Sequence, residues 1–291
     1  MLANDVTICD QNKRRSEIVM KRCIFYLMAV LAISCEPRTN PDEKVWVQLF
    51  NGKDLNDWRV KITGHDVDEN FGNTFRVEDG ILKVRYDRYD SFRQQFGHLF
   101  YKEKFSYYLL AVEYRFTGEQ CQGGPDWAKR NSGAMLHSQD PATMLKQQDF
   151  PISIEAQLLG GIGQGNRPTA NLCTPGTQVH MGDTLFTEHC ISSKSKTYEG
   201  DQWVRTEFLV LGDSLIRHLV EGETVLEYMR PEIGGGVVSN FDPKVKVDGM
   251  PLAEGFIALQ SESHPVEFRK VELVNLMAAR IRRQKITNPI L

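Results

Sequence analysis

The chain reads as an all-β protein, a sandwich of two antiparallel sheets, on three observations. Apolar and polar residues alternate with period 2 in many short runs, turn dipeptides break those runs at regular spacing, and no amphipathic run is long enough for a substantial helix. At 291 residues, the chain can hold one large β domain or two small ones, and 41% hydrophobic with 25% charged residues is ordinary globular composition. The formal net charge is -3, and no Lys/Arg run is long enough to track a phosphate backbone. Nucleic acid is therefore not an expected partner.

The first informative segment starts at Met20. "MKRCIFYLMAVLAISCEP" has two positive charges, an apolar run from Ile24 to Ile33 and a small residue before Cys35. That is the layout of a secretory signal, and its apolar run is too short to span a bilayer. The Cys after "LAIS" resembles a bacterial lipoprotein signal, which implies that Cys35 becomes the acylated first residue of the mature chain. A plain secretory peptide cleaved nearby is the alternative. Residues 1–35 are thus read as leader and signal with the true start at Met20, 36–44 as a tether, 45–276 as the folded domain and 277–291 as a basic tail. The expected location is the cell envelope, on the periplasmic or outer-membrane face, with membrane contact through the lipid alone.

Along the domain, "YYLLAVEYRF" places Leu110, Val112, Tyr114 and Phe116 on one face and Ala111, Glu113 and Arg115 on the other. "DPATMLKQQ" (140–148) has room for one short helical turn. In "DFPISIEAQLLGG" (149–161), Ile152, Ile154, Ala156 and Leu158 alternate with Ser153, Glu155 and Gln157. A solvated outer face would mix Lys and Glu, so the Ser, Glu and Gln face is read as the floor of a groove. Gly160 to Lys196 is loop-rich with little periodicity, and a loop of that length is more often functional than idle. "QWVRTEFLVLGDSLIRHLVEGETVLEY" reads as three strands broken at Gly212-Asp213 and Glu221-Gly222. "GFIALQ" and "VEFRKVELVNL" close the domain.

Cysteine usage follows the exported reading. Cys9 and Cys23 go with the leader and Cys35 takes lipid, leaving Cys121, Cys173 and Cys190 for one bridge and one spare thiol. Cys173 and Cys190 flank a segment rich in Thr, Gly and Ser and are the expected pair. Metal ligation by Cys173, His189 and Cys190 is the competing reading.

Five stretches in order, "LFNGKDLNDW", "RNSGAMLHS", "IEAQLLG", "DQWVRTEFLVLGD" and "GFIALQSESHPVEFRKVEL", resemble the 3-keto-disaccharide hydrolase family. That family is also described as 3-keto-glucoside 1,2-lyase and 3-keto-2-hydroxy-glucal hydratase. The resemblance covers about residues 45–276. It implies a concanavalin-like jelly roll with a concave, ligand-facing sheet, and a glycoside or oligosaccharide substrate oxidised at carbon 3. A ketone there acidifies the proton on carbon 2, so a base can form an enolate that expels the substituent at carbon 1. Water then adds across the unsaturated sugar. The site needs one base near neutrality, one acid for the leaving oxygen and hydrogen-bond donors or a cation for the enolate.

Glu155 is the first candidate for base or metal ligand, its bland alternative being a carboxylate paired with an Arg. His137 and His264 are further catalytic candidates. His137 stands where the family often has Arg, and His264 lies near a His-Gly pair of many relatives. Gln157 and Gln260 are candidate hydroxyl binders, Trp127 a candidate stacking platform, and Glu262 a partner that orients His264 or shares a cation. Asn131 either organises the turn before its strand or touches substrate. A divalent cation held among Glu155, His137, Glu262 and His264 is compatible with enolate chemistry, although no metal-ligand spacing in the sequence is diagnostic; "HDVDEN" (65–70) also offers oxygen ligands for calcium. Arg269 is expected to pair with an acid on an adjacent strand. Two rivals remain, a non-catalytic sugar-binding module on the same scaffold and an ordinary glycosidase.

Overall fold

A computed structural model describes residues 45–277. The leader, the acylation candidate Cys35, the tether and the tail beyond Met277 lie outside the described residues. The strands begin with β1 (Val47–Gln48), β2 (Trp58–Ile62), β3 (Phe75–Glu78), β4 (Ile81–Val84), β5 (Gly97–Phe105) and β6 (Tyr107–Phe116). Next come β7 (Asn131–Ser138), β8 (Ile154–Leu159), β9 (Asn171–Cys173), β10 (Thr177–Met181), β11 (Thr184–Phe186) and β12 (Cys190–Ile191). The chain closes with β13 (Val204–Leu211), β14 (Ile216–Val220), β15 (Glu223–Ile233), β16 (Gly255–Ser261) and β17 (Val266–Asn275). Between β1 and β17 the helical pieces are three 3-10 turns, at Phe71–Asn73, Asp126–Ala128 and Pro141–Thr143. The last falls in the stretch expected to hold a turn. Asp140 caps it by accepting from the Ala142 N–H, and Pro141 supplies a fixed φ at its start.

Two antiparallel sheets result. The seven-stranded sheet runs β12-β9-β8-β7-β16-β5-β2. The larger sheet runs β11-β10-β15-β14-β13-β6-β17-β4-β3, with β1 added on β17. β16 and β17 each insert between strands far earlier in the chain, which is the crossed connectivity of the jelly roll. The expectation of an all-β, concanavalin-like sandwich holds.

The alternation in the sequence explains the core. Tyr108, Leu110, Val112, Tyr114 and Phe116 of β6 face Ile154, Ala156 and Leu158 of β8 across one continuous apolar layer. Each fully buried Leu or Phe contributes about 1.5–3 kcal/mol. The opposite face of β6 is ionic: Arg269 on β17 donates to Glu113 at 2.6 Å, the neighbour-strand pairing expected for it. Arg115 and Arg269 also lie over the Trp203 ring at 4.6 and 4.7 Å, so Trp203 is structural.

Turns fall where the dipeptides place them. Glu221 and Gly222 join β14 to β15 with φ of 53° and 83°, both in the left-handed region that a tight hairpin needs. The loop-rich reading of Gly160–Lys196 needs correction, because the segment contains β9, β10, β11 and β12. These strands are two to five residues long, too short for alternation to register.

Candidate active site

The face of the seven-stranded sheet turned away from the core floors a cavity of about 410 Å³. Glu155 and Gln157 of β8, Asn131 of β7, Cys173 of β9, Cys190 of β12 and Glu262 just past β16 line it. Loop residues Trp127, Phe150, Pro175, His189 and Val237 form its walls. The β8 alternation therefore answers to two environments: Ile154, Ala156 and Leu158 pack in the core while Glu155 and Gln157 face the cavity. Ser153, the third polar residue of that run, departs from expectation. It precedes β8, is fully buried, and donates from Oγ to the Pro151 carbonyl at 3.0 Å.

A missing side chain makes room for the floor. Gly133 pairs with Gln157 across β7 and β8, and a Cβ on it would stand 2.8 Å from Glu155 Cγ and 3.0 Å from Gln260 Oε1. Any larger residue would displace both side chains. Gln157 is held by a fixed chain of bonds. Asn171 donates to Gln157 Oε1 at 2.9 Å, while its own Oδ1 accepts from the Ser193 N–H at 2.8 Å. The Gln157 amide nitrogen is thus left as the donor. Asn131 Oδ1 and Glu262 Oε2 are buried with no partner among the described residues. Buried polar atoms are seldom left so, and both residues line the cavity.

Glu155 and Glu262 are the electrostatic centre. Burial pushes the Glu155 carboxyl well above its ordinary range, opposed by the Gln260 amide beside it. Burial also raises Glu262, as does the charge of Glu155, while Arg167 pulls it down. Two carboxyls sharing one poorly solvated site resist simultaneous ionisation, so the pair holds a proton at pH values where a solvated Glu has lost it. Sequence reading singled out both residues without seeing that they couple. It also missed Arg167, whose guanidinium donates to the carbonyls of Arg130 at 3.1 Å and Gly160 at 2.5 Å and so ties two loops beside Glu262.

Trp127 presents an exposed ring at the cavity. It is 54% exposed and stacks on Phe96 at 5.8 Å with planes 19° apart. Phe96 in turn packs on Phe150 at 4.8 Å, which fixes the Trp127 ring from behind.

The two candidate histidines lie elsewhere. Alternation would aim His137 with Asn131 and Gly133, but its φ is 48° and the left-handed backbone breaks the pattern. Gly255 stands opposite, where a Cβ would meet the His137 carbonyl carbon at 2.3 Å. The His137 ring packs edge-on to Tyr108 and its Nε2 meets the Gly212 carbonyl at 3.1 Å, away from the cavity. His264 follows Ser263, whose φ is 87°, and packs edge-on to the core ring of Phe116 at 5.7 Å. Burial, then Arg130 and Lys129, press it down to about 4. Of the predicted cation ligands, only Glu155 and Glu262 reach the cavity, and the four do not converge. In "HDVDEN", Asp66, Asp68 and Glu69 are occupied by Lys146, Arg59 and His65. Cys173, His189 and Cys190 do place ligand atoms within 4.8 Å of one another, but a disulfide joins Cys173 to Cys190 and takes up both sulfurs. Cys121 is free and half-buried.

A polar strand floor with a stacking ring, set on the open sheet of a jelly roll, defines a carbohydrate-handling β-sandwich. The chain belongs to the family of the 3-keto-alpha-glucoside-1,2-lyase-like domain, whose model matches residues 45–274. Its function is accordingly carbohydrate-related. No curated protein matches the chain. Among solved structures, a candidate glycosyl hydrolase from Parabacteroides distasonis is 18% identical, with 79% of this chain and 94% of that chain covered and a TM-score of 0.49. The beta-glucanase of Bacillus licheniformis is 10% identical over 79% of this chain and 97% of its own, with a TM-score of 0.43. The carbohydrate binding module CBM66 of Bacillus subtilis is 8% identical over 74% and 93%, also at 0.43.

Proposed function

We propose that the protein is an enzyme that cleaves 3-keto-glycosides by elimination and hydrates the resulting 3-keto-2-hydroxy-glucal. The observation that carries this reading is the buried Glu155–Glu262 pair on the cavity floor. With one proton between them, one member is a carboxylate base and the other a carboxylic acid. Glu155, next to the Gln260 amide, takes the proton from carbon 2. Glu262, kept protonated by burial and by the Glu155 charge, gives its proton to the departing glycosidic oxygen at carbon 1. The bond from carbon 1 to that oxygen breaks as the carbon 1–carbon 2 double bond forms. In hydration the roles reverse: water loses a proton to the carboxylate as its oxygen bonds to carbon 1, and carbon 2 is reprotonated. The Gln157 N–H donors hold the sugar and its developing enolate charge. Trp127 stacks on the ring or its substituent.

The exposed Trp127 also suits a non-catalytic sugar-binding module, so the deciding experiment must separate turnover from binding. A 3-keto-glucoside is offered beside its unoxidised parent, and exchange of the carbon 2 proton with deuterated water is followed by NMR. We expect exchange and cleavage of the oxidised sugar only. Binding without exchange would leave a binding module, and cleavage of the parent would make the protein an ordinary glycosidase. We further propose export and acylation at Cys35, on the lipoprotein-like pattern of the leader.

A further inference from the structure

The polar floor continues past the cavity along one level of the seven-stranded sheet. Lys61 on β2 pairs with His98 on β5, and His98 pairs with Gln260 on β16. Directly opposed residues share a face and stand about 5 Å apart, so these side chains form a row. The row reaches Glu155 at Gly133, whose absent Cβ would lie 2.8 Å from Glu155 Oε1 and 3.0 Å from Gln260 Oε1. Lys61 and His98 are buried on a face where apolar residues would pack more simply. His98 is fully buried, yet neither ring nitrogen has a partner among the described residues. A buried imidazole with both nitrogens unsatisfied calls for an explanation.

We propose that Lys61, His98 and Gln260 form a hydrogen-bond relay ending on the Glu155 carboxylate, with Lys61 and His98 as positioning residues for the base. The end of the row sets the direction of every bond. Lys61 Nζ donates to the carbonyls of Ile62 at 2.9 Å and Lys146 at 3.0 Å. Burial lowers Lys61 to about 8, and below that pH its ammonium has a third hydrogen and no lone pair, so toward His98 it can only donate. Burial, then the Lys61 charge, hold His98 down to about 3, and a neutral imidazole has one acceptor and one donor. Gln260 Oε1 and Nε2, like both His98 nitrogens, have no partner among the described residues, so the proposed bonds join groups that are otherwise unsatisfied. In the relay His98 accepts from Lys61 and donates to the Gln260 amide oxygen, which turns the amide so that its nitrogen, in place of the oxygen that stands beside Gly133, donates to Glu155. Phe150, edge-on to His98 at 5.9 Å and itself in the cavity wall, closes the row to water. The other groups around it are Glu262 and His189 at the cavity, Arg167 facing Glu262, and Asp66 and Lys146 facing Lys61. Of the side chains around Glu155, the Gln260 amide is the one that lowers its carboxyl against the effect of burial.

The proposal rests on Glu155 as the base, but its test needs no turnover. In the full chain labelled with carboxyl-13C glutamate, the Glu155 signal is the one missing from Glu155→Gln, and its midpoint is followed with pH. Loss of one hydrogen bond to an ion raises that midpoint by about one pH unit, so His98→Phe, which changes no charge, should do so. His98→Gln, with both a donor and an acceptor, should restore it. Lys61→Met should raise it in the wild type by more than in the His98→Phe background, because the relay carries part of its effect. Should His98→Phe fail to fold, His98→Leu serves as the same cut. A midpoint unmoved in a folded His98 variant, or strictly additive effects of Lys61 and His98, would overturn the relay. If the wild type leaves 3-keto-glucosides untouched, only the functional reading fails and the titration still decides the relay.

Discussion

Glu155 is asked to be two things, a buried side chain and an ion, and its substitution should separate them. Glu155→Gln keeps the shape and the neighbouring amide but cannot accept a proton. Turnover of a 3-keto-glucoside should fall at least about 100-fold, with carbon 2 exchange lost in step. Stability should move the other way. The folded-state pKa is raised, so the wild type is unpenalised below the ordinary carboxylate value and loses stability as pH rises toward the raised one. Glu155→Gln removes that loss, and its melting temperature should exceed the wild type's at pH 8 while matching it at pH 4. A variant that is less stable at both pH values would mean that the carboxylate is held by partners rather than opposed by burial. The place of Glu155 on the cavity face was legible because period 2 sets it apart from its core-facing neighbours. Its coupling to Glu262 was not, since the two groups stand 107 positions apart in the chain and only the β7–β16 pairing brings them to one floor. The histidines misled for a related reason: a single left-handed residue rotates a side chain off its expected face, and nothing local in "MLHS" or "SESH" announces that φ.

At the scale of elements, β12 is the weakest piece with the most exposed task. It pairs with β9 over two residues, Cys190 with Cys173 and Ile191 with Leu172, and the cross-strand disulfide does what so short a ladder cannot. The bridge closes a loop of 17 residues, and in the chain-entropy model its removal costs about 3 kcal/mol. Cys173→Ala/Cys190→Ala should lower the denaturant midpoint accordingly and loosen the cavity wall that carries His189. Peptide mapping without reductant should recover the linked pair, whereas two freely alkylated thiols would remove this account. Strands of this length carry no readable period. The long ones, β6, β13 and β17, were legible because each runs for eight to ten residues, long enough for a pattern to register even where, as at Arg269-Lys270, it breaks once.

The whole molecule should be sensitive to acid. His218 bridges the two sheets: its ring meets the Ala170 carbonyl at 2.9 Å and the Tyr228 hydroxyl at 2.8 Å. Burial lowers it to about 4, and His98 to about 3. A lowered folded pKa means that stability is fully present above the ordinary value near 6.5 and is lost as pH falls through the window down to 4. Equilibrium unfolding between pH 7 and 4 should show that slope, and His218→Gln should flatten it. A variant as acid-sensitive as the wild type would place the cause elsewhere. Cell fractionation addresses the chain's proposed tether: Cys35→Ala should free the protein from membranes while export continues, and an unchanged distribution with no lipid mass on the mature terminus would end that reading. The jelly roll itself was the most legible feature, since strand number, turn spacing and missing helices all follow from local chemistry. The cavity walls were the least, because Trp127, His189 and Val237 arrive from three unrelated loops. That division of origin has a consequence for how such a protein diversifies. Glu155 and Gln157 sit on a paired strand that cannot shift register without exposing the core, while Trp127, His189 and Val237 hang on segments free to change length. On the proposed function, selectivity can therefore drift from one descendant to the next while the proton chemistry beneath it stays fixed.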